Sequence, residues 1–172
     1  MNAGFNKKNV DLHCINPLIY LQQYLDAERY SDTEDSPYTE AIEAMSERGI
    51  FQGYEDGSFR PENPINRAEA LKILFEASNT PLETNYSNYL FTDTDSSQWY
   101  YPYVASSQIQ GYVQGYSDGS FHPAGNITRA EFLKIVLKFF NIDENSYDYD
   151  STSKYGDISY SAWYYPYIMR SE

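Results

Sequence analysis

A single cysteine, Cys14, is present, so no disulfide can form within the chain and packing must hold the fold. Histidine is almost as scarce: His13 and His122 with one cysteine cannot assemble a His/Cys metal centre. Basic residues are few, 12 Lys+Arg against 25 Asp+Glu for a net charge of −13, and that field opposes nucleic acid and anionic membranes. No apolar run is long enough to cross a bilayer, so membrane insertion is not expected. In the first thirty residues Leu12, Ile15, Leu18, Ile19 and Leu21 are interrupted by His, Asn, Pro and Tyr, unlike the continuous core of an export leader. An export address, if one is used, lies outside this sequence. Period-two alternation is nearly missing, leaving at most a tight pairing around two Asp-Gly turns. The loops around Asp56 and Asp118 lack the further acidic ligands of an EF-hand, and no glycine pattern leads into a helix as a nucleotide site requires. Carboxylates are plentiful only because the chain is acidic, so neither a catalytic pair, a metal nor a cofactor is expected.

Aromatic residues, in contrast, are abundant, with 19 Tyr, 9 Phe and 2 Trp. Tyr offers a flat apolar face and a polar tip, which suits both the rim of a small core and a saccharide surface. The dominant feature is a repeat. QGYEDGSFRPENPINRAEALKIL (Gln52–Leu74) returns as QGYSDGSFHPAGNITRAEFLKIV (Gln114–Val136). Upstream of the second copy stands FTDTDSSQWYYPYV (Phe91–Val104), echoed by YGDISYSAWYYPYI (Tyr155–Ile168) and, more loosely, by YSDTEDSPYTEAI (Tyr30–Ile42). The unit is an aromatic-x-Asp loop, a first helix, a Gly-rich loop and a second helix, which makes the chain all-α. The expected boundaries are an N-terminal segment 1–29, repeat 30–79, linker 80–90, repeat 91–142, an acidic polar linker 143–154 and the start of a third repeat at 155–172.

Local chemistry explains most of the motif. Asp56-Gly57 and Asp118-Gly119 predict turns needing positive φ, which glycine adopts without a Cβ clash. Asn66 with Glu69, and Thr128 with Glu131, have capping-box spacing, each side chain serving a backbone N–H at a helix start. Gly49 and Gly111 are placed to end the first helices. Phe132, Leu133, Val136, Phe139 and Phe140 form the apolar stripe of a second helix. Arg67 and Arg129 are not explained this way, because a cation in the first turn faces the positive end of the helix dipole. An outward Arg beside free N–H groups suits a carboxylate, either on a ligand or on Asp93 or Asp157 of a neighbouring repeat. Trp99 and Trp163, each followed by Tyr-Tyr-Pro-Tyr, suit either a stacking platform or a buried junction.

GYxDGSFxP followed by INRAEALKIL or ITRAEFLKIV, with aromatic-x-Asp and Trp upstream, resembles the S-layer homology domain over about residues 30–168. The resemblance implies tandem helix–loop–helix repeats around a pseudo-threefold helical bundle, the third repeat here being incomplete. It also implies grooves that bind cell-wall polysaccharide non-covalently, a pyruvylated secondary polymer or peptidoglycan, to anchor a surface or S-layer protein at the cell wall. The motif arginine carries over to Arg67 and Arg129, the groove acid to Asp32, Asp93 and Asp157, the tryptophan to Trp99 and Trp163, and the loop glycine to Gly57 and Gly119. Pro37-Tyr38 stands where the first repeat would carry Trp. Alternatives are a structural or protein-interaction repeat without glycan binding, and the anchoring part of a larger wall-acting enzyme. A longer chain, or self-association, would complete the third repeat. Asn16-Pro17 with Leu18, Leu21 and Leu25 on one face offers a helix for the vacant place.

Overall fold

The computed structural model describes residues 29–89, 91–143 and 155–170, which divide into two compact units after Pro61. The helix expected near Leu18 and most of the acidic linker lie outside the described residues. Among the described residues five helices form: α1 (Thr39–Glu47), α2 (Arg67–Ser78), α3 (Tyr101–Ile109), α4 (Arg129–Phe139) and α5 (Tyr165–Arg170). The β-type pairing among them is one isolated bridge, Asn66 with Asn126. The fold is all-α.

In the first unit α1 buries Ile42 and Ser46. It ends in a Schellman motif, with Gly49 N–H on the Ser46 carbonyl (3.0 Å) and Ile50 N–H on the Met45 carbonyl (2.9 Å). The second unit repeats this ending at α3, where Gly111 and Tyr112 donate to Gln108 (3.1 Å) and Ser107 (2.8 Å). There α2 packs on α3 and α4, and α4 also packs on α5. Leu71, Leu74 and Phe75 of α2 meet Val104 of α3, Ile135 and Phe139 of α4, and the loop residues Phe91 and Phe121 in one core. Phe75 stands edge-on to Phe139 at 4.9 Å, and Tyr112 stacks on Phe139 at 3.9 Å.

Two expectations are refined. The stripe expected on α4 holds in part: Phe139 is in the core and Phe132 and Val136 pack against it, but Ile135 and Leu137 are buried as well and Phe140 is exposed. Phe140 falls at the C-cap, and a helix flanked by two neighbours buries both flanks rather than one stripe. Residues 80–89, expected as an exposed connector, are mostly exposed but also tied to α3. Glu83 N–H donates to the fully buried Ser106 hydroxyl (2.9 Å), Gln110 Nε2 donates to the Pro81 carbonyl (3.1 Å), and Tyr86 and Tyr89 meet Tyr101 edge-on. Polar composition conceals such anchors because each is a single side chain.

Candidate functional site

The Gly-rich loop is built by its own sequence. Tyr116 N–H bonds the Ser120 carbonyl (2.8 Å) and Gly119 N–H the Tyr116 carbonyl (3.0 Å), a tight turn with Gly119 at φ 81°. Asp118 accepts from the Ser120 hydroxyl (2.5 Å) and N–H (2.9 Å), which holds its carboxyl below the usual range. The first unit has the same turn, with Gly57 at φ 82°. Asp56 there accepts from the Ser58 hydroxyl and N–H and from Arg60, so its pKa falls to about 2.

The acid of the aromatic-x-Asp motif clamps this loop. Asp93 accepts the N–H groups of Phe121 (2.8 Å) and His122 (2.7 Å), one on each oxygen. Asp32 does the same for Phe59 and Arg60, both at 2.7 Å. The second residue of each pair, His122 at φ 57° and Arg60 at φ 62°, is left-handed, a strained setting that the bidentate clamp holds. Both acids are therefore committed to backbone donors.

Arg67 is the hinge of the arrangement, and it points inward rather than outward. It is only 7% exposed. Its Nε donates to the Phe121 carbonyl (2.9 Å) and its Nη1 to Glu131 Oε1 (3.0 Å), while the guanidinium lies over the Phe121 and Tyr116 rings at 4.7 and 5.1 Å. Its carboxylate partner is thus Glu131, not Asp93 or Asp157. The anion cradle at the start of α2 is filled too. Arg67 N–H bonds the Gly125 carbonyl (2.9 Å), Ala68 N–H the Pro123 carbonyl (3.0 Å) and Glu69 N–H the Asn66 side chain (2.9 Å). Glu131 joins two tasks. One oxygen receives Arg67 and the Tyr116 hydroxyl (3.2 Å), and the other closes the capping box of α4 on the Thr128 N–H (2.9 Å) and hydroxyl (2.8 Å). The matching box of α2 is complete between Asn66 and Glu69.

Beside this hub lies a groove of about 170 Å³, lined among others by Arg67, Tyr116, Glu131, Lys134, Lys138 and Trp163. Trp163, from the lead-in to α5, is 54% exposed. Lys134 Nζ lies 5.2 Å from its ring centroid and 5.6 Å from that of Tyr167. The pairing recurs on α2, where Lys72 Nζ lies 5.9 Å from the ring of Trp99, itself 51% exposed. Sequence reasoning passed over both lysines, although each stands five residues after the motif arginine in both copies.

The predicted residues do not converge on one place. Arg67, Glu131 and Trp163 share the groove, while Trp99 stands apart with Lys72 and meets Tyr103 (6.5 Å) on α3. Arg129 is exposed at the start of α4 and has no ion pair among the described residues. Asp157 is exposed, and residues 155–170 hold no Gly-rich turn for it to clamp. Gly57 and Gly119 sit at turn apices where a Cβ would meet nothing closer than Thr92 at 3.9 Å from Gly119. Among the described residues no cluster of His, Cys, Asp and Glu could hold a metal ion, and no helix is long and apolar enough to cross a membrane.

A family model described as the S-layer homology domain matches residues 29–71 and 90–133. Cell surface glycoprotein 1 of Acetivibrio thermocellus is 42% identical over 98 residues, 54% of this chain and 4% of that protein. The surface-layer 125 kDa protein of Lysinibacillus sphaericus is 32% identical over 104 residues, 60% of this chain and 9% of that one. The cellulosome-anchoring protein of Acetivibrio thermocellus is 28% identical over 116 residues, 62% of this chain and 25% of that one. The chain thus spans a quarter or less of the length of these relatives.

Proposed function

The chain belongs to the S-layer homology domain family, and from that premise we propose that it is a non-catalytic module anchoring a larger surface protein to cell-wall polysaccharide. The relatives named for the cell surface, the surface layer and cellulosome anchoring support the coarse reading. The observation that carries the finer one is the groove beside Trp163. In a chain of net charge −13, Arg67, Lys134 and Lys138 line one groove with a single carboxylate, Glu131, and an exposed indole. An exposed aromatic face suits the C–H face of a sugar ring, and a local excess of cations suits an acidic substituent such as ketal-linked pyruvate. The polymer is a secondary cell-wall polysaccharide or peptidoglycan, and the module's place is the cell wall.

Co-sedimentation with purified cell walls tests this reading. The full chain should pellet with walls and be released by excess soluble polysaccharide prepared from the same walls. The burial of Arg67 favours the competing reading, a repeat that keeps the fold without binding glycan. A folded chain that stays in the supernatant would establish that one instead.

A further inference from the structure

The two Gly-rich loops form the same turn with one exchange: Arg60 of the first stands where the second has His122. Both residues are left-handed, and both side chains fold back over their own turn. Arg60 donates Nη2 to Asp56 (2.8 Å) and Nε to Ser58 Oγ (3.1 Å), its guanidinium 4.0 Å from the Tyr54 centroid. His122 meets the equivalent residues. Its Nε2 is 2.9 Å from Ser120 Oγ, and its ring stands edge-on to Tyr116 at 4.8 Å. Arginine keeps its charge at any working pH, whereas histidine changes charge between about pH 5 and 8. The first loop carries a permanent cation and the second a conditional one.

The hydrogen bonds fix which imidazole nitrogen is bare. The Ser120 hydroxyl has one proton, which it donates to Asp118 Oδ1 (2.5 Å). Toward His122 the same oxygen can only accept, so Nε2 carries a hydrogen and donates it. In the neutral ring Nδ1 is then a lone pair, standing 4.0 Å from Asp93 Oδ2. That arrangement is repulsive, and a proton on Nδ1 turns it into an ion pair. Asp118 lies on the other side of the ring, through Ser120, so the imidazolium sits between two carboxylates. Tyr116 presents an uncharged ring, and behind it Arg67 and Glu131 close on each other and offer no net charge. Asp93 also holds the Phe121 and His122 N–H groups, so the proton strengthens the clamp that shapes the loop.

We propose that His122 is a pH-dependent latch on the second Gly-rich loop, bridging Asp93 and Asp118 when protonated and releasing the turn when neutral. The first loop, with Arg60 in that place, stays latched throughout. The restraint is present on the acid side of the histidine range and is lost as pH rises through it. Gly115 and Tyr116 of the latched loop line the groove, so the latch sets how firmly that wall is held. It involves only the loop and its clamp, and does not rest on the anchoring reading.

Amide hydrogen exchange of the full chain, taken relative to intrinsic rates at each pH, tests this at Phe121 and His122. Phe59 and Arg60 are the internal control. Exposed pairs are weak, so protection at Phe121 and His122 should rise roughly two- to fivefold from about pH 7.5 to 5.5. Protection at Phe59 and Arg60 should stay level over the same range. His122→Arg should keep the second loop protected at both ends, and His122→Gln should leave it less protected at both. Nitrogen NMR of the neutral ring should find its hydrogen on Nε2. A neutral ring with its hydrogen on Nδ1 overturns the latch. So does a parent whose two loops respond alike or not at all, or a response that survives in His122→Gln.

Discussion

At the residue scale the repeated glycines do different work. Gly119 and Gly57 occupy turn apices and are needed for positive φ alone, since a Cβ would find open space or, at Gly119, an ordinary contact. Gly115 also has positive φ, 71°, but a Cβ there would stand 2.3 Å from Phe91 Cε1 and 2.6 Å from the Ser120 carbonyl. Gly53 is hemmed in likewise by Tyr30 at 2.2 Å. The first residue of the aromatic-x-Asp motif thus presses on the loop glycine that opens GYxDG. Gly119→Ala should cost about 1–2 kcal/mol, the left-handed penalty alone. Gly115→Ala should cost about 2–5 kcal/mol, because overpacking against Phe91 adds to that penalty. Denaturant unfolding of the two variants checks the order, and equal losses would show that Phe91 moves aside freely.

At the scale of elements, α2 and α4 are coupled through one carboxylate. Burial pushes the Glu131 pKa up, but the Thr128 hydrogen bonds and the Arg67 charge outweigh it and leave it below its ordinary 4.5. A depressed acid contributes stability that is present above its unfolded value and is lost as pH falls through its folded value. The parent should therefore lose melting temperature on acidification from about pH 5 to 3, and Glu131→Gln should flatten that decline. At pH 7 the same variant should melt about 5 °C or more below the parent, since it leaves Arg67 buried without its counter-charge. Melting curves across that range check both statements. Helix starts and ends were legible in the sequence because their chemistry is local: Asn66 and Thr128 meet a Glu three residues on, and Gly49 and Gly111 close their own helices. The partner of Arg67 was not legible, because Glu131 lies 64 residues away and already had a sufficient local role in its capping box. The clamp made by Asp93 was not legible for a similar reason, since nothing local announces that its oxygens receive the N–H groups of Phe121 and His122. Lys72 and Lys134 hold the same place in the two copies of the motif, but a lysine on a helix surface carries no signal until Trp99 or Trp163 is placed beside it.

At the scale of the molecule, charge and site oppose each other. On the proposed anchoring function, a chain of −13 approaching an acidic polymer meets repulsion at long range, while the groove offers cations only at contact distance. Salt separates the two effects, because screening acts first on distant charges, with a Debye length of about 10 Å at 0.1 M falling toward about 3 Å at 1 M. Raising salt removes the repulsion over many residues and weakens the few contacts in the proposed groove much less, since stacking is unaffected by screening. Wall binding should therefore change by less than about threefold between roughly 0.05 and 0.3 M salt. A diffuse contact through scattered lysines would instead fall steeply over that interval, as counterion release requires. Co-sedimentation across the salt series distinguishes them, and loss of binding by about 0.3 M would move the interaction away from the groove and onto the surface at large.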